Sequence, residues 1–328
     1  MVNFMKKILS LFIILVMLLT LMSSCSLLPE DWKTCTVEFY VGDELYDKKI
    51  VIAGNTINPP TDPQRTNEIF IGWTTDTLVS TKRFDFSKAV NSNLKLQAEF
   101  TLDAVDFTNM LTKETLKSIV MIENKCYNTA SGSTIETNVA ISQGSGVVID
   151  ISGGYCYVLT NYHVVEKADG FSKQGFTIED PWGEKHAAQI YVKNSKSAMS
   201  KDYDLALLCF KYSSAYENSL QEISFGSNPV KGDYVATLGA PQGLQNAISY
   251  GKVLQYDKIN AGSDSSLQKV TFDIIVHNAP IDHGSSGGAL INTSGQLIGI
   301  NFAGYNDGSY GCAIPIEKVE EFLDIYVY

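Results

Sequence analysis

Histidine is scarce in this 328-residue chain: there are four, His163, His186, His277 and His283. They form no cluster at metal-ligand spacing, and no Cys-x-x-Cys pair exists, so no metal site is expected. Basic residues are also short, 25 Lys and Arg against 36 Asp and Glu, for a net charge of −11 at pH 7. Phosphate backbones bind basic surfaces, so nucleic acid is excluded as a partner. Cysteine is too sparse to staple a chain of this length. Beyond Cys25 there are five, an odd number: Cys35, Cys126, Cys156, Cys209 and Cys312. Cys156 and Cys209 sit in apolar, strand-like runs and read as buried free thiols. What is present is enough apolar sequence, 45% of residues, for a sizeable core in one or two domains.

The most informative stretch is Asp282-His283-Gly284-Ser285-Ser286-Gly287-Gly288-Ala289-Leu290. Glycines let the backbone turn sharply and approach a ligand. The N–H groups of Gly284 and Ser286 can then converge on a developing oxyanion. A serine hydroxyl there needs a base. None of the histidines follows Ser286, which excludes the order Ser, acid, His of an α/β-hydrolase elbow. The order His, Asp, Ser remains. His163 sits within Tyr157–Val165, at the end of a β-branched and aromatic run, a fixed position open to a cleft. Asp204 heads the continuous apolar run Leu205–Phe210, which reads as a buried strand. At its mouth a carboxylate can be shielded from water and accept an imidazole N–H.

These segments resemble the three catalytic motifs of HtrA/Deg-type, trypsin-like serine proteases: Thr160–Val164, Asp204–Leu207 and Gly284–Leu290. Further matches follow in family order over about 220 residues: Gln143–Ile149, Gly232–Leu244, Gly251–Val253, Gly299–Asn301 and Ala313–Pro315. The resemblance implies an all-β, chymotrypsin-like double six-stranded antiparallel β-barrel over 102–328. It implies peptide-bond hydrolysis by Ser286, His163 and Asp204, an oxyanion hole at Gly284 and Ser286, polypeptide substrates and no cofactor. It also admits a homo-oligomer, a trimer, as a partner state. The helical spacing of Ile316–Leu323 reads as a closing helix, with no room after it for a PDZ domain. Two rival expectations are a glutamyl-type specificity, which places a histidine where this chain has Asn301, and a catalytically silent binding protein on the same fold.

The chain departs from the family before the nucleophile. Both prolines of the usual Asn-Pro-Gly-Asn-Ser-Gly-Gly-Pro-Leu are missing. Ser285 stands where secreted trypsins carry an aspartate that pairs with a newly cut N-terminus, so that activation route is excluded. Ala279–Ser285 is the segment expected to switch between ordered and disordered forms, and His283 is placed at the rim. The residue six before the nucleophile, which in trypsin-like barrels lines the specificity pocket, is Pro280. The wall strand should be Ile300-Asn301-Phe302-Ala303. An uncharged pocket of this kind predicts cleavage after small or medium apolar residues.

At the N-terminus Lys6 and Lys7 precede Ile8–Leu21, fourteen mostly apolar residues, too short for a spanning helix and suited to a signal peptide. Leu21-Met22-Ser23-Ser24-Cys25 resembles a bacterial lipobox, with Met22 where Leu is usual. It implies a signal peptide over 1–24, lipidation of Cys25, a tether over 25–34 and an extracytoplasmic protein held at the bacterial cell membrane through a lipid anchor. Residues 35–101 read as a separate unit. Thr36–Val41 alternates like a half-buried strand. Phe70-Ile71-Gly72-Trp73, Phe84-Asp85-Phe86 and Leu94–Phe100 resemble one internalin B-type (Listeria-Bacteroides) repeat, implying a small β-grasp-like module. Thr101–Asp106 is expected to be a linker, with a brief helix over Thr112–Lys117.

Overall fold

The computed structural model describes residues 33–75, 83–132, 134–213, 219–258, 270–304 and 310–328. Cys25 and the expected signal peptide lie outside them. Contacts divide the chain into two units between Thr101 and Leu102.

In the first unit, β1 (Thr34–Val41), β2 (Glu44–Ile52), β3 (Glu68–Thr74) and β4 (Leu94–Leu102) form one sheet in the order β2-β1-β4-β3. The hairpin β1–β2 is antiparallel and the central pair β1–β4 parallel, the arrangement of a β-grasp-like module. Strand alternation sends Cys35, Val37 and Phe39 to one buried face. They meet Ile57, Trp73, Val90 and Leu96, with Phe39 edge-on to Trp73 at 4.9 Å.

The second unit opens on α1 (Ala104–Lys113), not on a linker. The Asp103 carboxylate accepts the Asp106 N–H at 3.2 Å and caps the helix start. Phe107 and Leu111, one turn apart, are buried. Of the Thr112–Lys117 stretch where a brief helix was expected, Thr112 and Lys113 end α1 and Thr115–Lys117 lie in a 3₁₀ turn, Thr115–Ser118.

Eleven short strands and a helical turn carry the chain to the site. They are β5 (Ile119–Thr129), β6 (Glu136–Ser152), β7 (Tyr155–Thr160), α2 (Tyr162–Val165), β8 (Lys173–Glu179), β9 (Lys185–Ile190), β10 (Val192–Lys193), β11 (Lys196–Ser197), β12 (Met199–Ser200), β13 (Leu205–Lys211), β14 (Tyr234–Gly239) and β15 (Ala247–Asp257). Then come β16 (Ile274–His277), β17 (Ala289–Asn292), β18 (Leu297–Gly304), β19 (Gly311–Pro315) and the closing α3 (Ile316–Tyr326). The first barrel runs β13-β7-β6-β5-β8-β9 and closes through β13–β9. The second runs β14-β15-β16-β19-β18-β17 and closes through β14–β17. Both are six-stranded and antiparallel, a chymotrypsin-like pair.

The interior of the second barrel holds Val235, Val253, Ile275, Leu290, Ile298 and Ala313, which come from all six of its strands. The first interior holds Val120, Val148, Val158, Ile178, Ala206 and Leu208. A third apolar layer lies between the barrels, where Leu159, Leu205 and Leu207 meet Leu238, Ile274, Ile300 and Phe302, with Phe107 and Phe322 joining. β13 alternates between the first interior and this layer. Its residues Leu205–Phe210 are therefore buried without a break, which is why the sequence reads as a continuous apolar run. Burying a side chain of this size stabilises by about 1.5–3 kcal/mol.

Candidate active site

The pairing of β7 with β13, Thr160 opposite Ala206, brings the end of one strand beside the start of the other. His163 lies in α2 just after β7, and Asp204 just before β13. The imidazole Nδ1 and Asp204 Oδ2 are 2.8 Å apart, and the His163 backbone N–H donates to Asp204 Oδ1 at 3.1 Å. Asp204 is fully buried, so each carboxylate oxygen needs the partner it has. Its backbone is strained, with φ at +50° in a region that side chains other than glycine rarely adopt. The strain is held by the Asn161 amide, which donates to Asp204 O at 3.0 Å.

Ser286 sits in the glycine turn that enters β17. Its Oγ donates to Phe302 O at 3.4 Å, and no hydrogen bond joins it to His163 among the described residues. The N–H groups of this turn divide cleanly. Ser285 donates to Asp282 O at 2.9 Å, Gly287 to Asn301 O at 2.8 Å and Gly288 to Ser285 O at 3.0 Å. The N–H groups of Gly284 and Ser286 have no acceptor among the described residues, which suits donors kept for an oxyanion.

Ser145, in β6, joins this turn to the first barrel. Its N–H donates to Ser286 O at 2.8 Å. Its hydroxyl donates to Gly284 O at 2.7 Å and accepts the Ala240 N–H at 2.8 Å. Its own carbonyl accepts the Thr160 hydroxyl at 2.7 Å. The family resemblance assigned Gln143–Ile149 to a barrel strand and gave Ser145 no part in the site. Gly287 must be glycine here: φ is +83°, and a Cβ would lie 2.1 Å from Ser145 O.

A cavity of about 400 Å³ opens beside the turn. Its lining includes Leu238, Ala247, Pro280 and Ile281, with the uncharged polar groups Thr237, Ser249 and Asn301. Of the residues expected in the pocket, Pro280 and Asn301 line it. Ile300 and Phe302 do not; they belong to the apolar layer between the barrels, and Ala303 packs against that layer. Strand alternation explains this, since neighbours of Asn301 must face the other way. Deeper in the barrel lies His277, on a strand the sequence had left without a role. It is fully buried, and neither ring nitrogen has a well-formed hydrogen bond among the described residues. Burial lowers its pKa from 6.5 to about 4, opposed weakly by the neighbouring Asn301 amide and Ala279 backbone. At the mouth, the backbone N–H of His283 and the Gln242 amide hold the Asp282 carboxyl below the usual carboxylate range.

The pair of six-stranded antiparallel barrels is a chymotrypsin-like fold, and a serine, an imidazole, a buried carboxylate and two N–H groups without an acceptor among the described residues meet at the junction. Comparison with known proteins agrees. Residues 144–300 match the trypsin-like peptidase domain, and residues 36–99 match the Listeria-Bacteroides repeat domain. The chain is 34% identical over 184 residues to a probable periplasmic serine endoprotease, DegP-like, of Buchnera aphidicola subsp. Baizongia pistaciae. That match covers 54% of this chain and 34% of the relative. It is 36% identical over 177 residues to a probable periplasmic serine protease do/HhoA-like of Haemophilus influenzae, covering 53% and 34%. The chain thus spans about a third of the length of these curated relatives. Among solved structures, the active form of the Rv3671c protease from M. tuberculosis superposes with a TM-score of 0.51 at 22% identity, covering 69% of this chain and 87% of that one. This chain therefore carries a trypsin-like peptidase domain with HtrA/DegP homologues, preceded by a Listeria-Bacteroides repeat domain.

Proposed function

We propose that the protein is an extracytoplasmic serine endopeptidase, tethered to the membrane through Cys25 and acting on unfolded or exported polypeptides. The observation that carries this reading is the division of N–H groups in the 284–288 turn. It leaves two donors beside a serine whose base is already held by a buried carboxylate. Ser286 Oγ turns from Phe302 O to the imidazole and attacks a peptide carbonyl. His163 takes the hydroxyl proton and returns it to the leaving amine. Asp204 holds the imidazole tautomer and stabilises the imidazolium. The N–H groups of Gly284 and Ser286 bind the tetrahedral oxyanion. Water then repeats the sequence on the acyl-enzyme, with His163 again the base. A fluorophosphonate probe should label the protein at Ser286 and at no other residue. Failure to label the folded, wild-type protein would remove the reading.

The lining of the cavity supports a preference for uncharged side chains. Its uncharged polar groups are hydroxyls and the amides of Asn301 and Gln242, and the Asp282 carboxylate at its mouth is already engaged by Gln242. A Glu side chain would be buried there without a counter-charge, and a Lys or Arg side chain would find only the Asp282 carboxylate at the mouth and none deeper among the lining residues. Among aliphatic side chains discrimination should be soft, since one methylene is worth only about 1–3 kcal/mol. Cut sites profiled in a denatured proteome should fall mostly after Val, Ala, Ile or Leu. Predominant cutting after Arg, Lys or Glu would contradict this.

The lipid anchor rests on Leu21–Cys25 alone, and the extracytoplasmic location is supported also by the periplasmic naming of the two relatives. In a bacterial host, Cys25→Ala should abolish incorporation of labelled fatty acid and leave the protein uncleaved or released. A mature N-terminus at any residue other than Cys25 would count against the anchor. For the repeat domain we favour the role of a spacer between anchor and peptidase.

A further inference from the structure

Trypsins hold their oxyanion turn with an ion pair from the residue just before the nucleophile. Ser285 occupies that position here and carries no charge. Something else must fix the turn, and the neighbouring loop supplies it. Gln242 lies in a 3₁₀ turn, Pro241–Gly243, between β14 and β15. It grips the turn twice. Its backbone N–H donates to His283 O at 2.6 Å, and its side-chain amide donates to Asp282 Oδ2. The other oxygen of Asp282 accepts the His283 N–H at 2.7 Å. The peptide between His283 and Gly284 is planar and trans, so its C=O and N–H point in opposite directions. With the carbonyl turned to Gln242, the Gly284 N–H faces away from that loop and has no internal acceptor among the described residues. A flip of this peptide would exchange the donor for a carbonyl and destroy the oxyanion hole. Gln242 adopts φ +52° and ψ +27°, a strained conformation for a side chain with Cβ. Such strain persists only where surrounding contacts enforce it.

We infer that Gln242 is a positioning residue. Clamped to Asp282 and His283, it holds the 283–284 peptide in the orientation that presents the Gly284 N–H to the oxyanion. The clamp does for this chain what the ion pair does in trypsins, without a proteolytic cut. The inference rests on the endopeptidase reading for its effect on rate, and on the hydrogen bonds alone for its effect on the turn.

The contact is a donor amide on a charged acceptor, so it can be inverted. Gln242→Glu keeps the shape and sets two carboxylates against each other. The double variant Gln242→Glu, Asp282→Asn exchanges donor and acceptor and restores the bond, while the side-chain carbonyl that replaces the carboxylate at position 282 still accepts the His283 N–H. Gln242→Glu should slow fluorophosphonate labelling of Ser286 and lower kcat/KM about tenfold, chiefly through kcat, as expected for a lost hydrogen bond to a charged group. The melting temperature should stay within a few degrees. The double variant should regain most of the rate, which a nonspecific loss of packing would not allow. Amide hydrogen exchange over 282–286 reads the turn without catalysis. It should speed up in Gln242→Glu and slow again in the double variant. Unchanged exchange and labelling in Gln242→Glu, or no recovery in the double variant, would overturn the clamp. If exchange follows this pattern while the wild type never labels, the clamp stands and the endopeptidase reading falls.

Discussion

Ser286→Ala should lower kcat on unfolded casein by roughly 10⁵–10⁶-fold while leaving the melting temperature almost unchanged. The rate loss follows from the proposed mechanism, since without Oγ no acyl-enzyme forms. The stability follows from packing. Ser286 is only half-buried, and its hydroxyl makes one long hydrogen bond, to Phe302 O at 3.4 Å. Surface changes of this kind shift stability by about 0.5 kcal/mol or less. His163→Ala should cost nearly as much rate, and the double variant little more, because the members of such a triad act as a unit. Asp204 should behave differently. It is fully buried and holds both the imidazole and the His163 backbone. Asp204→Asn should therefore lose about 10⁴-fold in kcat through the wrong tautomer. A Ser286→Ala protein retaining more than about a hundredth of wild-type activity would show that the reacting group lies elsewhere.

Acidification from pH 7 to pH 4 should cost the fold about 3 kcal/mol through His277 alone. In the unfolded chain this imidazole takes its proton near 6.5, whereas in the fold burial holds it back to about 4. Between those values the unfolded state binds the extra proton, so stability falls as pH falls. Above 6.5 the effect vanishes, and below 4 it is complete. For a unit of this size the loss corresponds to a melting temperature lower by about 10 °C. The measurement is urea unfolding at several pH values. His277→Thr should show a shallower decline than the wild type over pH 6.5 to 4. Parallel curves for the two proteins would refute the assignment to His277.

The parts of the site that sequence made legible are those encoded by order and by local pattern. His163, Asp204 and Ser286 stand in one permitted order, and the glycines around Ser286 mark a turn whatever surrounds them. The two barrels were legible from strand-like runs and the resemblance they carried. Other parts depended on which of two apolar environments a strand face meets. Ile300 and Phe302 are as apolar as pocket walls, yet they face the layer between the barrels. Periodicity reports that a residue is buried and does not say against what. Ser145 and Gln242 escaped for another reason. Their partners lie far away in sequence, at 284–286 and 282–283, so no local signal marks them. The start of α1 was hidden by Asp103, an ordinary linker residue whose capping bond becomes visible only in the fold.

The strand carrying Ser145 belongs to one barrel, and the turn it grips belongs to the other. Base and acid come from the first barrel and nucleophile from the second, so the site is a joint rather than a pocket in one body. Its alignment is set by a few hydrogen bonds at a single buried residue. The broad apolar layer behind it supplies cohesion but little directional preference, because oily side chains tolerate small slides. Chain changes that thin this layer far from the cleft can therefore let the two halves drift by a fraction of an ångström. Turnover would then fade while the protein still melts as one piece, so loss of rate would report slackness before any calorimeter does.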